Sequence, residues 1–534
     1  MTDFPKLQIK NLNSIFKFFC YLLAIGLPIY YWYPMLNAKW SLVDDHEILT
    51  IIGPNSHLLL SGILGALSET EISANSTLPR FRPTYFLFRL IESVVWGKDP
   101  SLWYGFRMAI SVVFGISIAF LSIAIVGPVL GLGFILFSLS QPYWSDIFSK
   151  AGPSEIYAIL GCALLIILFC NKGERKNYSS NECFLIAFAI IIASGSKENF
   201  LFLGTIPLFI LIDKSFKKTF IGKIFLISPL IYISWIIYTL ALRLREGADV
   251  YQNDISIYTK LNQLKLIFLN DYFLLLLSLA IGSTLVFGIS ALLLRKCTYN
   301  CKAELVNQFI ICLKWQIVLI VVFLSQYIFY YGAWSSGALR YLFPAVLAVH
   351  FSILISIFLL MHAFSIFPYS KNRIKFLKII GFTLFILLSI ENLFQNRNIS
   401  SHSARISLDF DKKYIYVEEI LKRNPSIPLI IFSNHPNDYE SIFAINRFLY
   451  SRGVPNKVGV KLNDSSYIYV HNEPLHTKWL KGAILKVSQD GTLPKTKDNY
   501  FDPIDSLDLN NCVSVSLSGD SVLTCKYGNI RLWN

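Results

Sequence analysis

Ile15-Phe-Lys-Phe-Phe-Cys-Tyr-Leu-Leu-Ala-Ile-Gly-Leu-Pro-Ile-Tyr-Tyr-Trp-Tyr-Pro-Met35 decides the fold class, because it carries a single charge along a run long enough to cross a bilayer. A transmembrane helix needs about 20 mostly apolar residues. No small-residue cleavage site follows, so the run reads as a retained signal anchor rather than a removable leader. The chain around it has the same character. Of its 534 residues 54% are hydrophobic and 15% charged, with a mean hydropathy of +0.51. An ordinary soluble domain carries about 25% charged residues. A soluble enzyme, a disordered chain and a nucleic-acid-binding module are thereby excluded. The charge is unevenly placed, with 31 Lys/Arg and 20 Asp/Glu in residues 1–395 against 17 and 14 in residues 396–534. A membrane part therefore gives way near Arg397 to a water-soluble tail.

Working outward, apolar runs recur near 15–36, 105–126, 128–145, 155–170, 183–195, 199–212, 222–242, 271–294, 313–332, 341–366 and 375–395. They predict a polytopic α-helical membrane protein with about 11 spans. Lys and Arg accumulate on the cytoplasmic side. With the N-terminus inside, the inner segments hold 18 of them, in clusters such as Lys214, Lys217, Lys218 and Lys223, and the outer loops after the first hold only seven. The net charge of +14 is thus a matter of loop topology. An N-in/C-out chain follows, with the first loop (37–104) and the tail outside.

Seven of the nine cysteines fall in spans or inner loops, leaving Cys512 and Cys525 in the tail. They flank an alternating run that reads as a β-hairpin turning at Ser518-Gly519. That turn sets the two thiols opposite each other, which predicts a disulfide and an oxidising compartment.

Ionisable groups beside apolar segments are costly and usually functional. They gather on the outer side. Asp44-Asp45-His46-Glu47 follows the first span; adjacent acids suit a general base or a divalent metal, or else a helix N-terminus. Arg80-Phe-Arg82-Pro83 leads into Tyr85-Phe-Leu-Phe-Arg89-Leu-Ile-Glu92, which reads as a helix lying in the interface. Ser196-Lys197-Glu198 is a polar turn between apolar runs, placed to hold a phosphate or to close on itself as an ion pair. Arg340-Tyr341 begins the tenth span on its outer end and calls for a local anion, for which a phosphate is suited. Glu155 opens the fourth span, as a further acid or as the favoured first-turn residue of a helix.

Together these residues handle a lipid-linked phosphate at a membrane face. At this point residues 10–395 resemble the polytopic glycosyltransferases of the GT-C fold. The resemblance rests on Asp44 and Asp45, on Arg80-Phe-Arg82-Pro83 and Gly97-Lys-Asp-Pro100 in the first loop, on Ser196-Lys197-Glu198, and on Arg340-Tyr341-Leu-Phe-Pro344. It implies inverting transfer of a sugar from a polyprenyl phosphate, undecaprenyl in a bacterium, to a glycan or lipid acceptor of the cell envelope. The setting implied is an inner membrane with the site facing the periplasm. One acid of the Asp44/Asp45 pair is then the base, Asp44 favoured, and Lys197, Arg340 and Arg82 bind the donor phosphate. Further candidates are Glu155, His46, Glu198, Arg80 and Tyr341. The resemblance requires no cofactor; a divalent metal is an optional participant, which Asp44, Asp45, His46 and Glu155 have the chemistry to ligate. An oligosaccharide ligase or polymerase is the alternative enzyme. A lipid-linked sugar transporter is a third reading, disfavoured because the chain lacks two related halves and its charges sit at span ends.

In the tail, residues 411–421 and 438–450 read as helices, and 428–433, 457–462 and 466–470 as strands beside the hairpin. This is a periplasmic α/β domain expected to shape acceptor recognition. Asn434-His435-Pro436-Asn437-Asp438 follows a buried strand, as a ligand loop or, more simply, a turn and helix cap.

Overall fold

The computed structural model describes residues 4–42, 45–68, 70, 72–73, 80–172, 177–212, 217–245, 271–293, 299–329, 340, 343–365, 370–433, 439–462, 466–470, 512–518, 521–527 and 530–533. Helix α1 (Phe4–Trp32) is followed in the first loop by α2 (His46–Ile52), α3 (Ile63–Ser68) and α4 (Pro83–Val95). Then come α5 (Pro100–Val126), α6 (Pro128–Leu139), α7 (Tyr143–Phe148), α8 (Glu155–Lys172), α9 (Ser180–Ser196) and α10 (Thr205–Ile212). The series continues through α11 (Phe220–Arg245), α12 (Asp271–Leu293), α13 (Tyr299–Phe329), α14 (Phe343–Ser365) and α15 (Ser370–Arg423).

Among the described residues, five of the eleven expected segments contain helices long and apolar enough to cross a membrane: Ser14–Asn37, Pro100–Val126, Phe220–Arg243, Phe309–Gln326 and Phe343–Ala363. Five others form shorter apolar helices, and segment 375–395 is the first part of α15. Their outward faces carry large apolar side chains, among them Phe18 and Leu22 on α1, Ile231 and Trp235 on α11, and Leu384 and Leu387 on α15. Helices satisfy their own backbone groups, which hydrocarbon requires. The chain is a helical membrane protein.

Helix α15 is 54 residues long, about 80 Å at 1.5 Å per residue. The expected domain boundary at residue 396 falls inside it, so membrane part and tail share one unbroken element. Its side chains also close the ends of its neighbours. Carbonyls in the last turn of a helix have no partner within the helix. Arg397 Nη1 donates to Tyr30 O at 2.7 Å and Ser400 Oγ to Tyr31 O at 2.5 Å, both in the last turn of α1. Asn396 Nδ2 donates to Ser140 O and Gln141 O, at 3.0 and 3.1 Å, just beyond α6.

The tail adds α16 (Tyr439–Ser451) and a six-stranded sheet, β3 (Leu429–Ser433), β4 (Val458–Leu462), β5 (Ser466–Val470), β6 (Val513–Ser518), β7 (Ser521–Tyr527) and β8 (Ile530–Trp533). A two-stranded pair, β1 (Asn177–Tyr178) and β2 (Lys217–Lys218), joins two expected inner loops. In the tail sheet the order is β5-β4-β3-β6-β7-β8, parallel at β3–β4 and β3–β6 and antiparallel elsewhere. The expected strands and second tail helix stand at their positions. The loop from Asn434 to Asp438 lies outside the described residues.

The hairpin differs from expectation. Ser518 faces Ser521, so the reversal falls one residue later, and Leu523 is a bulge between the Leu517–Val522 and Ser516–Thr524 pairs. The two changes slip the register by three residues, and Cys525 faces Val515. Cys512 then lies about 10 Å further along the ladder. A disulfide needs Cα atoms within about 7 Å. The expected Cys512–Cys525 bond is not formed in this register, and the argument from it for an oxidising compartment falls with it.

One apolar core runs through tail and first loop. Ile48, Leu49 and Ile52 of α2, with Trp40 and Trp103, are continuous with Phe410, Tyr414, Ile445, Phe448, Leu449 and Val513. Lys98 Nζ donates to Ser451 O at the C-terminal end of α16. Burial, with the Arg452 guanidinium nearby, holds this ammonium below its ordinary value.

Candidate functional site

Helices α8 and α9 pack closely against each other, and Gly161 permits it: a Cβ there would lie 2.5 Å from Ala189 O and 2.9 Å from the Ala193 Cβ. Small residues of this kind let membrane helices approach. The start of α8 thereby meets the end of α9. Glu155 occupies the first turn of α8, where the helix dipole favours an acid. Lys197 terminates α9 in an extended conformation before the 3-10 helix Glu198–Gly204.

Lys197 Nζ donates to Glu155 Oε1, and both side chains are only 4% exposed. The Arg340 guanidinium adds its charge at the same carboxylate, while Ser154 Oγ stands 3.5 Å from Oε2. Three expected site residues from different segments are thus brought together. Beside them Arg82 Nε donates to both oxygens of Glu198, at 3.0 and 2.9 Å, and Phe81 N approaches Oε1 at 3.4 Å. Arg80 contributes further positive charge at Glu198. The chain alternates partners at this turn: Lys197 faces one acid, and Glu198 faces two arginines.

Asp45 has another task. It is fully buried. Oδ1 accepts from Ala151 N at 2.9 Å and Gly152 N at 3.0 Å, while Oδ2 accepts from Ser41 N at 3.0 Å and the Tyr104 hydroxyl at 2.8 Å. Four hydrogen bonds occupy the carboxylate, and they tie the first loop to the segment leading into Glu155. Asp45 is a positioning residue in this arrangement; of the two acids offered as base, with Asp44 favoured, these bonds weigh against Asp45. His46 is buried at the start of α2. Asp44 and Tyr341 lie outside the described residues. An asparagine at 45 would present N–H where an N–H now donates. Asp45→Asn is therefore expected to destabilise the fold by about 1–3 kcal/mol, read as a lowered Tm of the purified protein.

The same segment is gripped from its other side. Ala151 O accepts from Arg89 Nη2 and from Arg107 Nη2 at 3.2 Å, and Gly152 O accepts from the Tyr85 hydroxyl at 2.9 Å. Arg107 makes a two-pronged pair with Glu92, at 2.8 and 2.7 Å, and the Tyr157 hydroxyl donates to Glu92 Oε2 at 2.7 Å. The expected helix after Pro83 is present as α4, with its charges on the buried face. Arg89 and Glu92 point inward, while Leu87, Ile91 and Val95 are exposed. Arg107 was not anticipated; its signal was an arginine placed inside an apolar span.

Among the described residues, no group of three or more His, Cys, Asp or Glu side chains could hold a metal ion. No protein-family model, no curated protein and no solved structure matches the chain.

Proposed function

We propose that the chain is an inverting membrane glycosyltransferase of GT-C type that moves a sugar from a polyprenyl phosphate to a glycan or lipid acceptor of the cell envelope. The reading includes 11 spans with the N-terminus inside, and a bacterial inner membrane with the site facing the periplasm. One observation carries it: Lys197 and Arg340, far apart in sequence, both act on the Glu155 carboxylate, and the Lys197–Glu155 pair is only a few per cent exposed.

In the proposed reaction an acceptor hydroxyl attacks the anomeric carbon. The bond from that carbon to the phosphate oxygen breaks, and its electron pair leaves with the phosphate. A phosphodiester with one negative charge becomes a polyprenyl monophosphate with a second. Cations placed where that charge develops lower the barrier, more so away from water. Lys197 and Arg340 have that role, with Arg82 beside them through Glu198. Asp44 takes the hydroxyl proton.

The test is incubation of the purified chain with polyprenyl-phosphate monosaccharides. Release of polyprenyl phosphate with a new glycosidic product is the expected result; no release from any donor would end the reading. A ligase would release lipid only from oligosaccharide donors, and a transporter would consume none.

A further inference from the structure

A buried ammonium needs an anion beside it, because the cost of removing it from water is offset only by a paired and hydrogen-bonded charge. Lys197 is 3% exposed, and the anion that meets it is Glu155. The Arg340 guanidinium acts on that same carboxylate. The acid thus occupies the Lys197 ammonium within the field of the Arg340 guanidinium, which is the place a phosphate would take if the site has the function proposed above.

We propose that the Glu155 carboxylate is a built-in competitor of the phosphate: it pairs with Lys197, within the field of Arg340, and is displaced when a lipid-linked phosphate enters. The inference rests on the phosphate reading of the site and adds an order of events to it. A carboxylate and a phosphate oxygen both accept from an ammonium, so one can replace the other at Lys197 Nζ. A phosphate offers more acceptor oxygens and can engage the planar fork of Arg340 side-on. The released carboxylate keeps part of its stabilisation. It stays in the first turn of α8, where the helix dipole favours negative charge, with Ser154 Oγ already 3.5 Å away. Its place is steadied from behind by the Asp45 bonds to Ala151 and Gly152.

The arrangement has two consequences. The affinity measured for any phosphate is a net quantity, from which separation of the Lys197–Glu155 pair has been subtracted. The cations are also kept from unrelated anions, since every entrant meets the same competitor. Among lipids the site then favours those whose phosphate can reach both Lys197 and Arg340.

The experiment is equilibrium binding of farnesyl phosphate to the full-length chain in detergent, with uncharged farnesol as control. Glu155→Gln is expected to bind at least about tenfold more tightly than wild type, a change of about 1.4 kcal/mol. Glu155→Asp, with a shorter reach to Lys197, is expected to fall between. Lys197→Gln is expected to lose binding. Equal or weaker binding by Glu155→Gln, in a preparation whose Tm shows it folded, would overturn the proposal. Should Glu155→Gln not fold, the Glu155→Asp variant decides the question by the same comparison. If neither the wild type nor the variants prefer farnesyl phosphate to farnesol, the phosphate reading fails along with the competitor. If the phosphate binds as expected but no donor is turned over, the glycosyltransferase reading alone fails.

Discussion

Lys197→Ala is expected to slow sugar transfer sharply and to destabilise the protein, and the two losses can be separated. Removing one partner of a buried ion pair strands the other at a cost of about 3–5 kcal/mol. Glu155 would be the stranded group, at 4% exposure. Loss of one preorganised group facing the developing charge typically lowers turnover by about 10²–10³-fold. Combining Lys197→Ala with Glu155→Gln removes the stranded carboxylate, so the double variant is expected to recover Tm without recovering turnover. Wild-type turnover in Lys197→Ala would sink the assignment of its ammonium to the donor phosphate. Recovered turnover in the double variant would show that the lysine serves only to neutralise the glutamate.

A chain ending at Arg423 is expected to fail on every acceptor, not merely to alter its acceptor range. The sequence suggested that the tail reads the acceptor. The structure gives it a prior duty, because α2 begins one residue after Asp45 and packs its Ile48, Leu49 and Ile52 into the core built by α16 and the sheet. Each of these side chains contributes about 1.5–3 kcal/mol when buried. Without the tail they face water, and the loop that carries Asp44 loses its support. Turnover of the truncated, membrane-inserted chain across several acceptors is the measurement. Full activity on some of them would restore acceptor choice as the tail's main role.

Much of this architecture is legible in the sequence, because apolar runs and tail strands carry their own periodicity. Ile15–Met35 reads as a helix without any knowledge of its neighbours, and so do the strands at 429–433 and 458–462. Lys197, Arg340 and Glu155 were legible for a related reason: a charge at the end of an apolar run needs a partner whatever the fold. Partner identity was not. That Arg82 takes Glu198 while Lys197 takes Glu155 depends on how α4, α8 and α9 cross, which one-dimensional patterning does not encode. Asp45 misled for the same reason. Its neighbour at 44 made it look catalytic, whereas its four donors come from residues 41, 104, 151 and 152, most of them remote in the chain. The hairpin shows how narrow the margin is in strands. A turn displaced by one residue and a bulge at Leu523 together moved a cysteine out of reach of its expected mate.

The continuity of α15 has a mechanical consequence. A rod without a hinge transmits rotation, so the azimuth of the sheet about the rod is geared to the face that the rod presents to α1 and α6. Adding one residue above Ser400 would swing the sheet by about 100° and pull α16 away from α2, whereas adding four would bring it nearly back into phase, about 6 Å higher. Activity that falls with one added residue and partly returns with four would reveal a drive shaft in place of a flexible tether.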